Sequence, residues 1–274
     1  MNVKNIIKIT IVQFNPYWQK PEENRNKIQK LLEKSFKKTD VIILPEMFTT
    51  GFTMNVKEYF ETMHGPTVEW MKKISCKYNS AICGSIIIRE KEKLQNNGKK
   101  GYNQGKFKYY NRFIWVNPSG KKFYYDKRVL FSFVNEDKYF SRGDKRIIIK
   151  YKNWKILPLI CYDLRFPVLS RYQGDYDLII YVANWPEKRS YPWKQLLIAR
   201  AIENQSYVIG VNRVGNDNNN IYHSGDSSLI APDGKVIFTV SQKETVKTLE
   251  INKKDLITFR KRYPFLKDRE YEYL

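Results

Sequence analysis

The sequence predicts an α/β fold on a mixed sheet, and three observations lead there. Short apolar runs bounded by turn residues recur along the chain, as buried strands do. Early on they alternate with segments of helical period, and paired strands around a Pro-Ser-Gly turn then follow. The third observation is scale: 274 residues, 42% hydrophobic and 15% aromatic with no compositional break, suit one large domain over residues 1–274.

Residues 6 to 14, IIKITIVQF, read as the first strand; lysines within this N-terminal stretch and the lack of a small-residue cleavage site argue against a signal peptide. Pro21-Glu22-Glu23 has the composition of a first helical turn, after which Ile28, Leu31, Leu32 and Phe36 recur at helical spacing. The apolar run from Val41 predicts a strand ending at Glu46, with Thr49 to Phe52 opening a loop over the site. Gly65-Pro66-Thr67 opens a helix with Val68, Met71 and Ile74 on one face, and Ala81 to Ile88 form a strand holding Cys83 as a structural residue. Polar residues 90 to 106 read as an exposed hairpin loop. Strands at 107–116 and 121–126 flank the Asn117 to Gly120 turn, and strands at 146–151 and 154–160 lead to Cys161. A strand at 178–182, a helix at 190–204 with Leu196, Leu197, Ala201 and Ile202 on its apolar face, and a strand at 207–211 come next. The Asn-rich run 215–220 predicts a mobile loop. Strands near 227–231 and 235–240 surround Pro232-Asp233-Gly234, and a last strand precedes a basic helix from about Lys253 and an aromatic tail.

The reactive residue types fall at strand ends. Cys161 closes the apolar run Ile156 to Ile160 and opens a polar turn, the edge at which α/β proteins place reactive groups. By itself it reads more readily as a buried structural thiol. Two further strands end at Glu46 and Lys127. A thiol to attack, a base to take its proton and a cation to stabilise an oxyanion are what covalent amide hydrolysis requires. The base is needed because an unassisted thiol, with a pKa of about 8.5, is only a few per cent thiolate at neutral pH.

The stretches around these residues are LPEMFTTGF at Glu46, YDKRVLF at Lys127, Asn135-Glu136 and LPLICYDLRFP at Cys161. YVANWP from Tyr181, ARAIENQSYVIGVNRVG from Ala199 and HSGDSSLIAPDG from His223 follow in order. From about Ile6 to about Ile251 the chain resembles the nitrilase superfamily of carbon-nitrogen hydrolases, and within it the omega-amidases, which hydrolyse the terminal amide of 2-oxoglutaramate or 2-oxosuccinamate. CYDLRFP fits amidases better than true nitrilases, where tryptophan and glutamate typically follow the cysteine. The resemblance implies an α-β-β-α sandwich with two mixed β-sheets. It implies a cysteine thioester intermediate, with Glu46 as base and the Lys127 ammonium and Tyr162 backbone N–H as oxyanion donors. Glu136 would orient Lys127 or help bind the amide; its competing reading is a surface ion pair with Lys138 or Arg142. No cofactor or metal is expected. A homo-oligomer, a dimer, is implied, with residues from about 252 to 274 in its interface. The substrate carboxylate suits a bidentate arginine, for which Arg165 and Arg213 in the matched stretches are candidates, while Tyr162, Phe48 and Trp185 are candidate pocket walls.

Composition narrows the alternatives. Three cysteines, Cys76, Cys83 and Cys161, without a disulfide spacing predict reduced thiols, and the N-terminus without signal-peptide character predicts a cytoplasmic protein. The two histidines, His64 and His223, lack metal-ligand spacing, and no apolar run nears the roughly 20 residues of a membrane span. A formal charge of +21 raises a rival reading as a non-catalytic basic nucleic-acid-binding protein. The lysines are dispersed, without a recognised nucleic-acid motif, so surface lysine and a field attracting small dicarboxylates are expected instead. A thiol redox protein pairing Cys161 with Cys83 or Cys76 lacks the Cys-x-x-Cys arrangement such chemistry favours. Another small amide or a nitrile is the remaining alternative substrate.

Overall fold

The computed structural model describes residues 5–35, 37–92 and 106–269. The loop expected over 90–106 falls largely outside them, as do Phe36 and the end of the aromatic tail. The first half runs β1 (Ile6–Gln13), α1 (Pro21–Ser35), β2 (Val41–Ile43), α2 (Val56–Tyr59), α3 (Pro66–Tyr78), β3 (Ala81–Lys91), β4 (Phe107–Val116) and β5 (Lys122–Asp126). The second runs α4 (Glu136–Tyr139), β6 (Ile149–Tyr151), β7 (Trp154–Ile160), α5 (Pro167–Ser170), β8 (Leu178–Ala183), α6 (Ser190–Asn204), β9 (Tyr207–Asn212), β10 (Val214–Asn216), β11 (Tyr222–Ile230), β12 (Val236–Ser241), β13 (Thr245–Asn252) and α7 (Lys253–Arg262).

Both sheets are mixed. The first has six strands in the order β13-β1-β2-β3-β4-β5, with β1, β2 and β3 parallel and the flanking pairs antiparallel. The second has seven, in the order β10-β11-β9-β8-β7-β6 with β12 beside β11, and β7, β8 and β9 form its parallel centre. Period-2 alternation sorts their side chains. Ile7, Ile9 and Ile11 of β1 join Val41, Ile43, Phe113 and Trp115 in one core with Ile156, Leu157 and Leu159 of the opposing sheet. Val12, Ile42 and Ile82 point the other way, onto Ile28 and Leu32 of α1 and Val68, Met71 and Ile74 of α3. Leu197 and Ala201 of α6 join the core through the outer face of the second sheet. The layering is therefore α-β-β-α.

Two expectations need correction. The second strand stops at Ile43, three residues before Glu46: Pro45 has no N–H to continue the ladder, and the chain turns there. The Asn-rich run is shorter than expected as a loop: Gly215 and Asn216 belong to β10, and the turn spans 217–220. Val214–Asn216 pair with β11, and the Asp217 carboxylate closes the turn by accepting from the N–H groups of Asn219 and Ile221 at 2.8 and 3.0 Å.

Candidate active site

The turn after β7 sets the position of Cys161. At φ of +44° this residue occupies the left-handed region, which costs a non-glycine residue about 1–2 kcal/mol and persists only where the surroundings enforce it. The enforcing group is Asp163. Its buried carboxylate accepts from Ile160 N–H at 3.0 Å, Val129 N–H at 3.0 Å and the Tyr125 hydroxyl at 2.9 Å, tying the turn to the segment after β5. Desolvation raises Asp163 to about 6 despite these donors.

Beside the cysteine lies a buried cluster of charges. Lys127 directly follows β5, and its Nζ donates to Glu46 Oε1 at 2.9 Å and to both Glu136 oxygens at 3.0 Å. Glu46 also accepts from Asn111 Nδ2 at 2.7 Å on β4 and from Asn184 N–H at 2.8 Å after β8. Glu136 accepts from Phe131 N–H at 2.6 Å. These bonds supply what ionised groups need in a dry interior, where removing one partner typically costs about 3–5 kcal/mol. Burial opposes the Lys127 ammonium, but Glu136 and Glu46 outweigh it and hold its pKa above the ordinary value. Glu136 is pushed up by desolvation, against the pull of Lys127.

Cys161 is buried, with Sγ 4.0 Å from the Asn184 carbonyl oxygen. Burial first, and the Glu46 charge second, push its thiol well above its usual range, while Lys127 pulls the other way. Burial and Glu46 thus both favour the protonated thiol, and a nucleophile appears as the proton departs.

Aromatic rings border the cysteine. Tyr162 packs on Phe131 at 4.7 Å and Phe166 at 5.3 Å, and Trp185 on Trp193 at 5.4 Å. The Arg165 guanidinium lies 5.0 Å from the Trp185 ring centre, and that of Arg189 lies 5.3 Å from that of Phe131. Among the described residues, no group of three or more His, Cys, Asp or Glu is placed to hold a metal, and no helix is long and apolar enough to cross a membrane.

The carbon-nitrogen hydrolase family model matches residues 8–261. The chain belongs to that family. The hydrolase is similar to omega-amidase YafV of Escherichia coli K12, 39% identical over 265 residues covering 96% of this chain and 97% of that one. It is 30% identical to 2-oxoglutaramate amidase of Bacillus subtilis, with 95% and 96% covered. The solved structure of XC1258 from Xanthomonas campestris, a CN-hydrolase superfamily protein with an arsenic adduct in its active site, superposes with a TM-score of 0.86 at 37% identity and covers 97% of each chain.

In this hydrolase Glu46, Lys127, Glu136 and Cys161 meet at one site, and Glu136 pairs with Lys127 in place of Lys138 or Arg142. Tyr162 directly follows Cys161, Trp185 directly follows Asn184, and Arg165 lies over the Trp185 ring. Phe48 is not at the site: its ring lies in the outer core, 6.0 Å from Trp70 and against Gly84, so the expected pocket wall is core packing. Arg213 is likewise committed elsewhere, its Nη2 donating to Asn15 Oδ1 at 2.7 Å and Asn216 O at 2.8 Å. Reasoning from sequence missed Asn111 and Asn184, both bonded to Glu46. Asn111, a polar residue pointing inward within β4, and Asn184, within YVANWP, were the available signals.

Proposed function

We propose that this hydrolase is an omega-amidase releasing ammonia from the terminal amide of small 2-oxo acid amides such as 2-oxoglutaramate and 2-oxosuccinamate. The observation that carries the reading is the buried Glu46–Lys127–Glu136 cluster, whose first two members act on the Cys161 thiol in opposite electrostatic senses. The names borne by the Escherichia coli and Bacillus subtilis relatives support the substrate class.

In the proposed cycle Glu46 takes the thiol proton as sulfur attacks the amide carbon. Lys127 and the Tyr162 N–H stabilise the oxyanion, each such donor being worth about 10²- to 10³-fold in turnover. Glu46 returns the proton to nitrogen, the C–N bond breaks and ammonia leaves a thioester. Water then attacks, Glu46 accepts its proton, the C–S bond breaks and the thiol re-forms. Glu136 keeps Lys127 charged and aimed. The reading includes a cytoplasmic homodimer.

Ammonia release from both amides by the wild type and by Cys161→Ala tests it. Robust wild-type release that falls to background in the variant is expected; equal release by the two proteins would remove Cys161 from the chemistry.

A further inference from the structure

Arg165 and Arg189 are two of the cations near Cys161. Arg165 and Arg189 are both half-buried, and among the described residues neither guanidinium has a hydrogen-bond acceptor or an acidic partner. The fully buried arginines, by contrast, are paired: Arg112 is bound by Asp126 and Arg200 by the Leu164 carbonyl, while Arg213 has Asn15 and Asn216; half-buried Arg89 shares the stacking, on Phe60 and Phe107. The Arg165 and Arg189 guanidinium groups each lie over an aromatic ring of the site wall. Arg165 stacks on Trp185, next in sequence to Asn184, whose carbonyl faces the sulfur. Arg189 stacks on Phe131, whose ring packs on Tyr162 and whose N–H donates to Glu136. The two sides are linked, because Trp185 Nε1 donates to the Arg189 carbonyl at 2.6 Å and fixes the backbone carrying that guanidinium. Burial lowers the Arg189 pKa, a Cys161 thiolate would raise it, and the Arg165 charge lowers it further. Partly desolvated arginines without a counter-charge, held rigidly by stacking, are preorganised for a planar anion.

We infer that Arg189, together with Arg165, binds the carboxylate at the end of the substrate remote from the scissile amide, making Arg189 a specificity-determining residue. The inference rests on the amidase reading above. It places the selection of a 2-oxo acid amide over a neutral amide in two cations that share the rim of the cysteine site. Arg189 supplies the second arm that Arg165 alone lacks.

The test compares 2-oxosuccinamate and 2-oxoglutaramate with the neutral amides of equal chain length, butyramide and pentanamide, in the wild type, Arg189→Ala and Arg189→Lys. Losing a charge-assisted hydrogen bond to a carboxylate should raise KM for the 2-oxo acid amides about 10- to 100-fold and lower their kcat/KM relative to the neutral amides by a similar factor. Lysine should restore part of this, since it keeps the charge and loses the fork. A direct readout is calorimetric binding of 2-oxoglutarate to Cys161→Ala, which should weaken by a similar factor when Arg189→Ala is added. A wild type that prefers the 2-oxo acid amides, with that preference and 2-oxoglutarate binding unchanged in Arg189→Ala, would overturn the inference and leave the amidase reading standing. A wild type that cleaves neutral amides without preference, or cleaves neither set, would remove both.

Discussion

Asp163 takes no part in the proposed proton transfers, yet it holds the nucleophile's turn, and its titration makes that role measurable. Its folded pKa of about 6 lies above the ordinary 3.8, so the folded state binds the proton more tightly than the unfolded chain. The associated stability is fully present below the ordinary value and is lost as pH rises through about 6, at up to roughly 1.4 kcal/mol per pH unit. Asp163→Asn removes this titration. The unfolding free energy of the wild type relative to the variant should therefore fall between about pH 4 and pH 6, as read by urea denaturation across that range; parallel pH profiles would show that Asp163 does not titrate there. At this scale the sequence exposed residues whose type is itself the chemistry, and Cys161, Glu46, Lys127 and Glu136 do meet. It hid those whose role is purely relational. Asn111 and Asn184 come from different sheets, and only the closed sandwich brings both to Glu46. Arg189 was one cation among 49, and only the fold shows that it lies over the Phe131 ring beside Tyr162.

Element positions followed closely from periodicity and turn chemistry, since strand, helix and cap each depend on neighbours a few residues away. The failures lie where a pairing decides. β10 is three residues long and exists because β11 pairs with it, and β2 ends early because Pro45 interrupts the ladder. The segment after β5 shows how such a detail reaches the site. Gly143 N–H donates to the Lys127 carbonyl at 2.9 Å, and a Cβ on Gly143 would lie 2.2 Å from the Asp126 carbonyl oxygen. That contact is with backbone, so no side-chain rotation relieves it. Gly143→Ala should destabilise the protein by about 1–3 kcal/mol, as overpacking does. It should also displace the backbone that aims Lys127, and a misplacement of about 1 Å can cost 10²-fold in rate. Denaturant midpoints and kcat for ammonia release check the two effects. Unchanged kcat in a destabilised variant would mean that the loop yields without moving the ammonium.

For the molecule as a whole, the order of elements announced mixed sheets but not how the chain closes. β13 pairs with β1 from Ile6↔Asn252 to Gln13↔Thr245, so the C-terminal strand completes the N-terminal sheet, and a contact between chain ends leaves no local trace. α7 follows at once. It buries Leu256 and leaves Ile257 exposed, and Phe265 beyond it is exposed as well. Ile257 and Phe265, exposed apolar side chains on an otherwise basic segment of a chain carrying +21, suit the proposed homodimer, whose two copies must come together against like charge. That repulsion is screened over about 8–10 Å at physiological salt, whereas apolar burial is not weakened by salt. Sedimentation velocity should therefore show a dimer that tightens as sodium chloride rises from about 50 to 300 mM, the opposite of an assembly held by surface ion pairs. Ile257→Asp with Phe265→Asp should shift it toward monomer. A wild type that stays monomeric at micromolar concentration across that salt range would reject the dimer, and one that loosens with salt would show that charge pairs, and not these apolar side chains, hold the copies together.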